Sequence, residues 1–105
     1  MVNSENKMRS ALRTALRGMG RNREQVAAYL AKRRAQGYRH NCFHCPIANY
    51  LRQVLPVDVE YQITVGFSYA SVGDATVDLT KAQMDFVDAF DLGLYPKLVA
   101  GRYSK

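Results

Sequence analysis

Between residues 57 and 79 this chain alternates apolar and polar side chains with almost no interruption. Val57, Val59, Tyr61, Ile63, Val65, Phe67 and Tyr69 are interleaved with Asp58, Glu60, Gln62, Thr64, Gly66 and Ser68, and Ala75, Val77 and Leu79 resume the pattern after Gly73-Asp74. A period of two places one apolar row on one face of a strand, the pattern of a half-buried sheet. Gly73-Asp74 is a turn signal, so an antiparallel hairpin is expected, with a bulge or break at Gly66. Val59, Tyr61, Ile63, Val65 and Val77 are expected to face a helical layer. An isolated hairpin is marginal in water, so helices elsewhere in the chain must cover that face.

Helical spacing takes over on both sides of the alternation. Thr80 and Gln83 make a capping-box pair ahead of Met84, Phe86, Val87 and Phe90, and Gly93 supplies a stop. Upstream, Ser4 can cap a helix reaching Gly18–Gly20. Asn22 and Gln25 open a second helix, bearing Val26, Tyr29 and Leu30, that Gly37 is expected to end. Pro46, with Cys45 at its cap, starts a third, with Ile47, Tyr50, Leu51 and Val54 inward and Pro56 beyond. The expected fold is α+β: three N-terminal helices, a small antiparallel hairpin or sheet, then a C-terminal helix. At 105 residues it makes a single domain over 1–105, read as a basic helical arm (1–40) and a compact α/β core (41–99).

Charge is distributed unevenly. Ten of the fifteen Lys/Arg residues fall within residues 1–40, with only Glu5 and Glu24 among them. Arg9, Arg13, Arg17 and Arg21 recur every fourth position beside the apolar row Met8, Leu12, Ala15, Leu16 and Met19. Like charges four apart oppose an isolated helix by about 0.2–0.5 kcal/mol per pair, so solvent, an acidic surface or an anionic partner must compensate. Lys32, Arg33 and Arg34 fall near the end of the second helix, where they also suit the negative end of its dipole. Asp85, Asp88 and Asp91 share part of one helical face and read as a solvated surface, or as a counter-surface for the arginine row.

His40-Asn41-Cys42-Phe43-His44-Cys45-Pro46 holds both histidines and both cysteines of the chain. Three roles compete for it. Structural zinc needs four ligands, usually as two separated pairs, and no second pair exists beside Cys42, Cys45, His40 and His44. Thiol–disulfide exchange would use the Cys-x-x-Cys spacing at a helix start, which lowers a thiol pKa, but the motif follows a basic helix rather than a parallel strand. The third role is packing: Cys45 as a small buried hydrophobe, with Cys42 and the histidines in a connecting loop. Packing is the reading adopted, with no metal and no cofactor expected and both cysteines dispensable for function. Neither a glycine-rich phosphate loop nor a nucleophile elbow nor a His-Glu-x-x-His segment is present, so no enzyme is expected. Tyr38, Phe43 and Tyr103 lie off the apolar stripes and are expected on a contact surface.

Two segments carry a resemblance. Cys45-Pro46-Ile47-Ala48-Asn49-Tyr50-Leu51 and Phe86-Val87-Asp88-Ala89-Phe90-Asp91-Leu92-Gly93-Leu94-Tyr95-Pro96 resemble small uncharacterised proteins of actinobacteria and their phages, with a Cys-Pro-aliphatic-Ala-x-Tyr-Leu helix start and a Phe-Asp-x-Gly-x-Tyr-Pro ending. The similarity spans roughly residues 41–99. It implies that Cys45, Tyr50, Phe90, Gly93 and Tyr95 serve the fold, and it brings no activity.

The function expected is a non-enzymatic binding module that presents a basic helical face to an acidic macromolecule. Arg9, Arg13, Arg17, Arg21, Arg33 and Arg34 are its contact residues, since their planar guanidinium groups suit phosphates and carboxylates. Nucleic acid is the first candidate partner and an acidic protein surface the second. The alternative is a protein-binding module: a phage-encoded modulator of a host protein, or a homodimer joined through the first helix. With no apolar stretch suited to a signal peptide or a membrane span, the expected location is the cytoplasm.

Overall fold

The computed structural model of the chain describes residues 4–55 and 62–100. Its elements are α1 (Ser4–Leu16), α2 (Arg23–Lys32), α3 (Pro46–Val54), β1 (Ile63–Val65), β2 (Tyr69–Val72), β3 (Ala75–Asp78) and α4 (Lys81–Asp91), followed by a 3-10 turn at Pro96–Leu98. The α+β class expected from the sequence is therefore the one adopted. Among the described residues no helix is long and apolar enough to cross a membrane.

The sheet is an antiparallel meander in the order β1-β2-β3. Ile63, Val72 and Ala75 stand in one cross-strand row and Val65, Ala70 and Val77 in another, and all six are buried. The row between them, Thr64, Ser71 and Thr76, belongs to the opposite face. The expected hairpin thus becomes three strands, because the long alternating run is folded in two at Phe67-Ser68, where Gly66 N–H donates to Tyr69 O (2.9 Å). That two-residue turn moves the buried set from odd to even positions, so Ala70 and Val72 point inward and Phe67 and Tyr69 are exposed. Val57, Val59 and Tyr61 lie outside the described residues.

The helices cover the apolar face as its marginal size demands. α1 lies across β2 and β3, α3 against β1, and α2 against α4. Leu12, Leu16 and Met19 enter the same core cluster as Ile47, Leu51, Ile63, Phe86 and Phe90. Of the helix ends, α4 follows its sequence signals most closely. Thr80 Oγ1 accepts from Gln83 N–H (3.2 Å), Thr80 N–H donates to Gln83 Oε1 (2.9 Å), and Gly93 takes the left-handed conformation that closes the C-terminus. Asn22 caps α2 by accepting from Gln25 N–H, while Gln25 Oε1 reaches back to Arg21 N–H rather than to Asn22.

The end of α2 departs from expectation. Arg34, not Gly37, occupies the left-handed position (φ 57°), and Ala35 N–H returns to Leu30 O (2.9 Å). Gly37 instead bridges to Val99, with its N–H on Leu98 O and its carbonyl accepting from Ala100 N–H. A Cβ there would collide with the backbone of His44, Cys45 and Pro46, so this glycine is fixed by close approach rather than by a helix stop.

Gln83 is the one buried polar side chain among the described residues, at 1 % exposure. Its Oε1 completes the cap of α4, and its Nε2 donates to Leu16 O at the end of α1 (2.8 Å), with Met19 Sδ at 3.6 Å. The same side chain therefore caps one helix and terminates another. Gln83→Met keeps the length and removes these bonds, leaving Leu16 O and Thr80 N–H without partners. We expect the unfolding free energy to fall by about 1–3 kcal/mol in urea denaturation; an unchanged midpoint would contradict this role.

Candidate functional site

The arginines expected on one basic face are divided by the fold. Successive residues of a helix are offset by about 100°, so Arg13 and Arg17 lie on one flank of the buried Leu12–Leu16 stripe and Ala11 and Ala15 on the other. Arg13 and Arg17 line an open groove of about 250 Å³ with Leu16, Val77, Asp78, Thr80 and Gln83. Both are exposed, as is Arg21 beyond the end of α1, whereas Arg9 is half-buried. Two guanidinium groups border this groove against the single carboxylate of Asp78. The acids of α4 are occupied elsewhere in part: Lys81 pairs with Asp85 (3.0 Å), and Asp91 is engaged by His40.

Arg33 follows the end of α2 and sits over a pair of tyrosine rings. Its guanidinium carbon lies 4.7 Å from the centroid of the Tyr29 ring and 5.6 Å from that of Tyr50, close enough for cation–π attraction. The two rings meet edge to face, with centroids 5.4 Å apart. Tyr50 OH donates to Ala15 O (2.7 Å), so in the 3.0 Å contact between the hydroxyls Tyr29 is the donor. Arg33 thus closes a tyrosine pair that holds α3 to α1, and Arg34 is exposed in the left-handed turn beside it. Neither of these two lines the groove that Arg13 and Arg17 border.

The cysteine segment forms a second site. Asn41 folds it: Oδ1 accepts from the N–H groups of Phe43 and His44, both at 3.0 Å. Cys42 O accepts from Val65 N–H (2.8 Å), which fastens the loop to the edge of β1. His40, left-handed at φ 58°, donates its N–H to Asp91 Oδ1 (2.9 Å), and its Nδ1 lies 3.9 Å from Asp91 Oδ2. A cleft of about 240 Å³ opens here, lined by His40, Asn41, Cys42, Cys45 and Asp91, with an apolar floor that includes Val65, Phe86 and Phe90. Phe67, 71 % exposed, stands in its wall.

The two thiols differ in kind. Cys42 is exposed, while Cys45 is buried and caps α3, its Sγ accepting from Ala48 N–H at 3.4 Å. Burial pushes the Cys45 thiol up to about 11, against the opposing pull of the Ala48 and Ile47 backbone N–H groups. The lowered thiol pKa that a helix start can confer is therefore not found at Cys45, because desolvation outweighs the helix terminus. Among the described residues no three His, Cys, Asp or Glu side chains are grouped so as to hold a metal ion, and Cys42, Cys45, His40 and His44 are all included in that statement.

Sequence reasoning found the cysteines and histidines but not their neighbours. Asp91 reads as one of the acids of α4, and nothing local marks it as the partner of His40, 51 residues earlier. Phe67 reads as core by alternation and is exposed only because of the turn at Phe67-Ser68. Tyr38 and Phe43 are exposed as expected, and Tyr103 lies outside the described residues. Comparison with known protein families, with curated proteins and with solved structures finds no match.

Tyr50 gives the tyrosine cluster a pH signature. Burial, then the Tyr29 hydroxyl, raises its phenol above the ordinary tyrosine value. The unfolded chain thus releases this proton at a lower pH than the folded one, and stability falls as pH rises above about 10. We expect Tyr50→Phe to lose about 1 kcal/mol at neutral pH and to show a shallower alkaline decline in thermal melting. An equally steep decline would remove Tyr50 from that transition.

Proposed function

We propose that this protein is a binding module in which Arg13 and Arg17 at the C-terminal end of α1, with Arg21 in the segment that follows, engage an anionic macromolecule, nucleic acid before acidic protein. The observation that carries the reading is the placing of two exposed arginines, Arg13 and Arg17, one helical turn (about 5.4 Å) apart along the groove that Asp78 and Thr80 also line. Guanidinium groups in this arrangement offer forked donors to successive phosphates or carboxylates. The cytoplasm is the compartment we assign to it. Leu12 and Leu16, the apolar stripe that the alternative, a homodimer joined through the first helix, would use, are buried in this chain's own core, which favours the charged flank over the apolar one.

Salt dependence tests the reading. Duplex binding through several phosphates weakens with salt at a slope of about 0.9 per contact. The Arg13→Gln, Arg17→Gln, Arg21→Gln triple variant keeps comparable helix propensity. We expect it to bind duplex DNA or RNA more weakly, with a log–log salt slope shallower by about 2–3 than that of the wild type and an unchanged melting temperature. Equal affinities and slopes for both proteins would reject the proposal.

A further inference from the structure

The cysteine cleft has features that neither the arginine flank nor simple packing uses. It places an exposed thiol and a buried thiol in the lining of one cavity, separated in sequence by a turn that Asn41 holds closed. It is pinned from the opposite side by the contact between His40 and Asp91, with His40 held in the left-handed conformation. Its lining is largely apolar, with Val65, Phe86 and Phe90 in the floor and Phe67, 71 % exposed, in the wall. An exposed aromatic side chain at the wall of an apolar, thiol-lined cleft offers a contact for an apolar partner group.

We propose that Cys42 and Cys45 form a dithiol–disulfide couple that exchanges with the disulfide of a polypeptide docked on the apolar rim of this cleft. The inference does not depend on the arginine flank. Access assigns the roles. Cys42 stands at the surface and attacks first, whereas Cys45 is buried, its thiol held protonated, and so acts second. Cys42, as thiolate, attacks one sulfur of the substrate disulfide. A mixed disulfide forms, the substrate S–S bond breaks, and the departing sulfur takes up a proton equivalent to the one Cys42 released to solvent. Cys45 then releases its proton to the solvent in the open cleft and attacks Cys42 Sγ. The internal disulfide forms and the second substrate sulfur leaves, taking up an equivalent proton from solvent. Two electrons have passed from the dithiol to the substrate, and a low-molecular-weight thiol returns them. The apolar floor and Phe67 receive the side chains that flank a polypeptide disulfide, which a small polar disulfide lacks.

The test uses the reduced full chain with insulin and, separately, with oxidised glutathione, followed by alkylation of free thiols and mass analysis. The wild type is expected to lose two hydrogen atoms and both alkylation sites for each insulin disulfide cleaved, and to recover them with excess reduced glutathione. Cys45→Ser, in which the new hydroxyl can still cap α3, is expected to stop at a one-to-one mixed disulfide on Cys42, and Cys42→Ser to capture nothing. Phe67→Ser is expected to slow insulin capture about tenfold more than capture of glutathione, the scale of burying one aromatic side chain. A wild type that keeps both thiols with both probes, or that stops at a Cys42 adduct with Cys45 still free, would overturn the couple. Equal slowing of the two probes by Phe67→Ser would overturn the polypeptide assignment.

Discussion

The hydrogen bonds of Gln83 are the constraint on which the arrangement of this small domain depends. A primary amide inside an apolar core is costly unless both its ends are paired. Here the carbonyl oxygen caps α4 and the amide nitrogen ends α1 at Leu16 O, so neither helix end can move without unpairing a buried group. Because α1 also lies on β2 and β3, this side chain fixes the first and last helices around the edge of the sheet. On the far side of α1 the Tyr50 hydroxyl does the same for the Ala15 carbonyl. Two adjacent carbonyls at the end of α1 are thus held by side chains from two different helices.

That double attachment determines what α1 presents to solvent. With Leu12 and Leu16 buried and Ala15 turned toward Tyr50, Arg13 and Arg17 are left on the flank above Asp78 and Thr80. Arg33 is instead held against the Tyr29 and Tyr50 rings. The basic half of the sequence therefore supplies two sets of guanidinium groups in different surroundings. One consists of exposed guanidinium groups, which supports contact with an anion. The other is partly occupied by aromatic rings and serves the packing of three helices.

The features legible in the sequence are those governed by local rules. The Thr80–Gln83 capping box, the Asn22 cap, Pro46 at the start of α3, Gly93 at the close of α4 and the Gly73-Asp74 turn all follow from residue types a few positions apart. The misread features depend on distant partners. Gly37 resembles a helix stop, yet its identity is dictated by the backbone at residues 44–46, which the tertiary fold brings against it. Phe67 and Tyr69 continue an alternation that the chain abandons, because the turn at Phe67-Ser68 reverses the register. Gln83 was visible as a capping residue, but its bond to Leu16 lies 67 residues away and leaves no trace in local spacing. Other residues of these segments serve the fold through contacts that span the chain: Cys45 caps α3, Tyr50 bonds Ala15 O, Phe90 is buried, and Tyr95 stacks on Phe86.

Hydrogen exchange of the Gln83 side-chain amide, followed by NMR on the native protein, tests the central claim most directly. A group 1 % exposed and bonded to Leu16 O exchanges only when α1 separates from α4. The account predicts protection of those Nε2 protons comparable to that of the core amides of β2 and α4. Exchange at the rate of an exposed glutamine, with the core amides still protected, would show that Gln83 does not join the two helices.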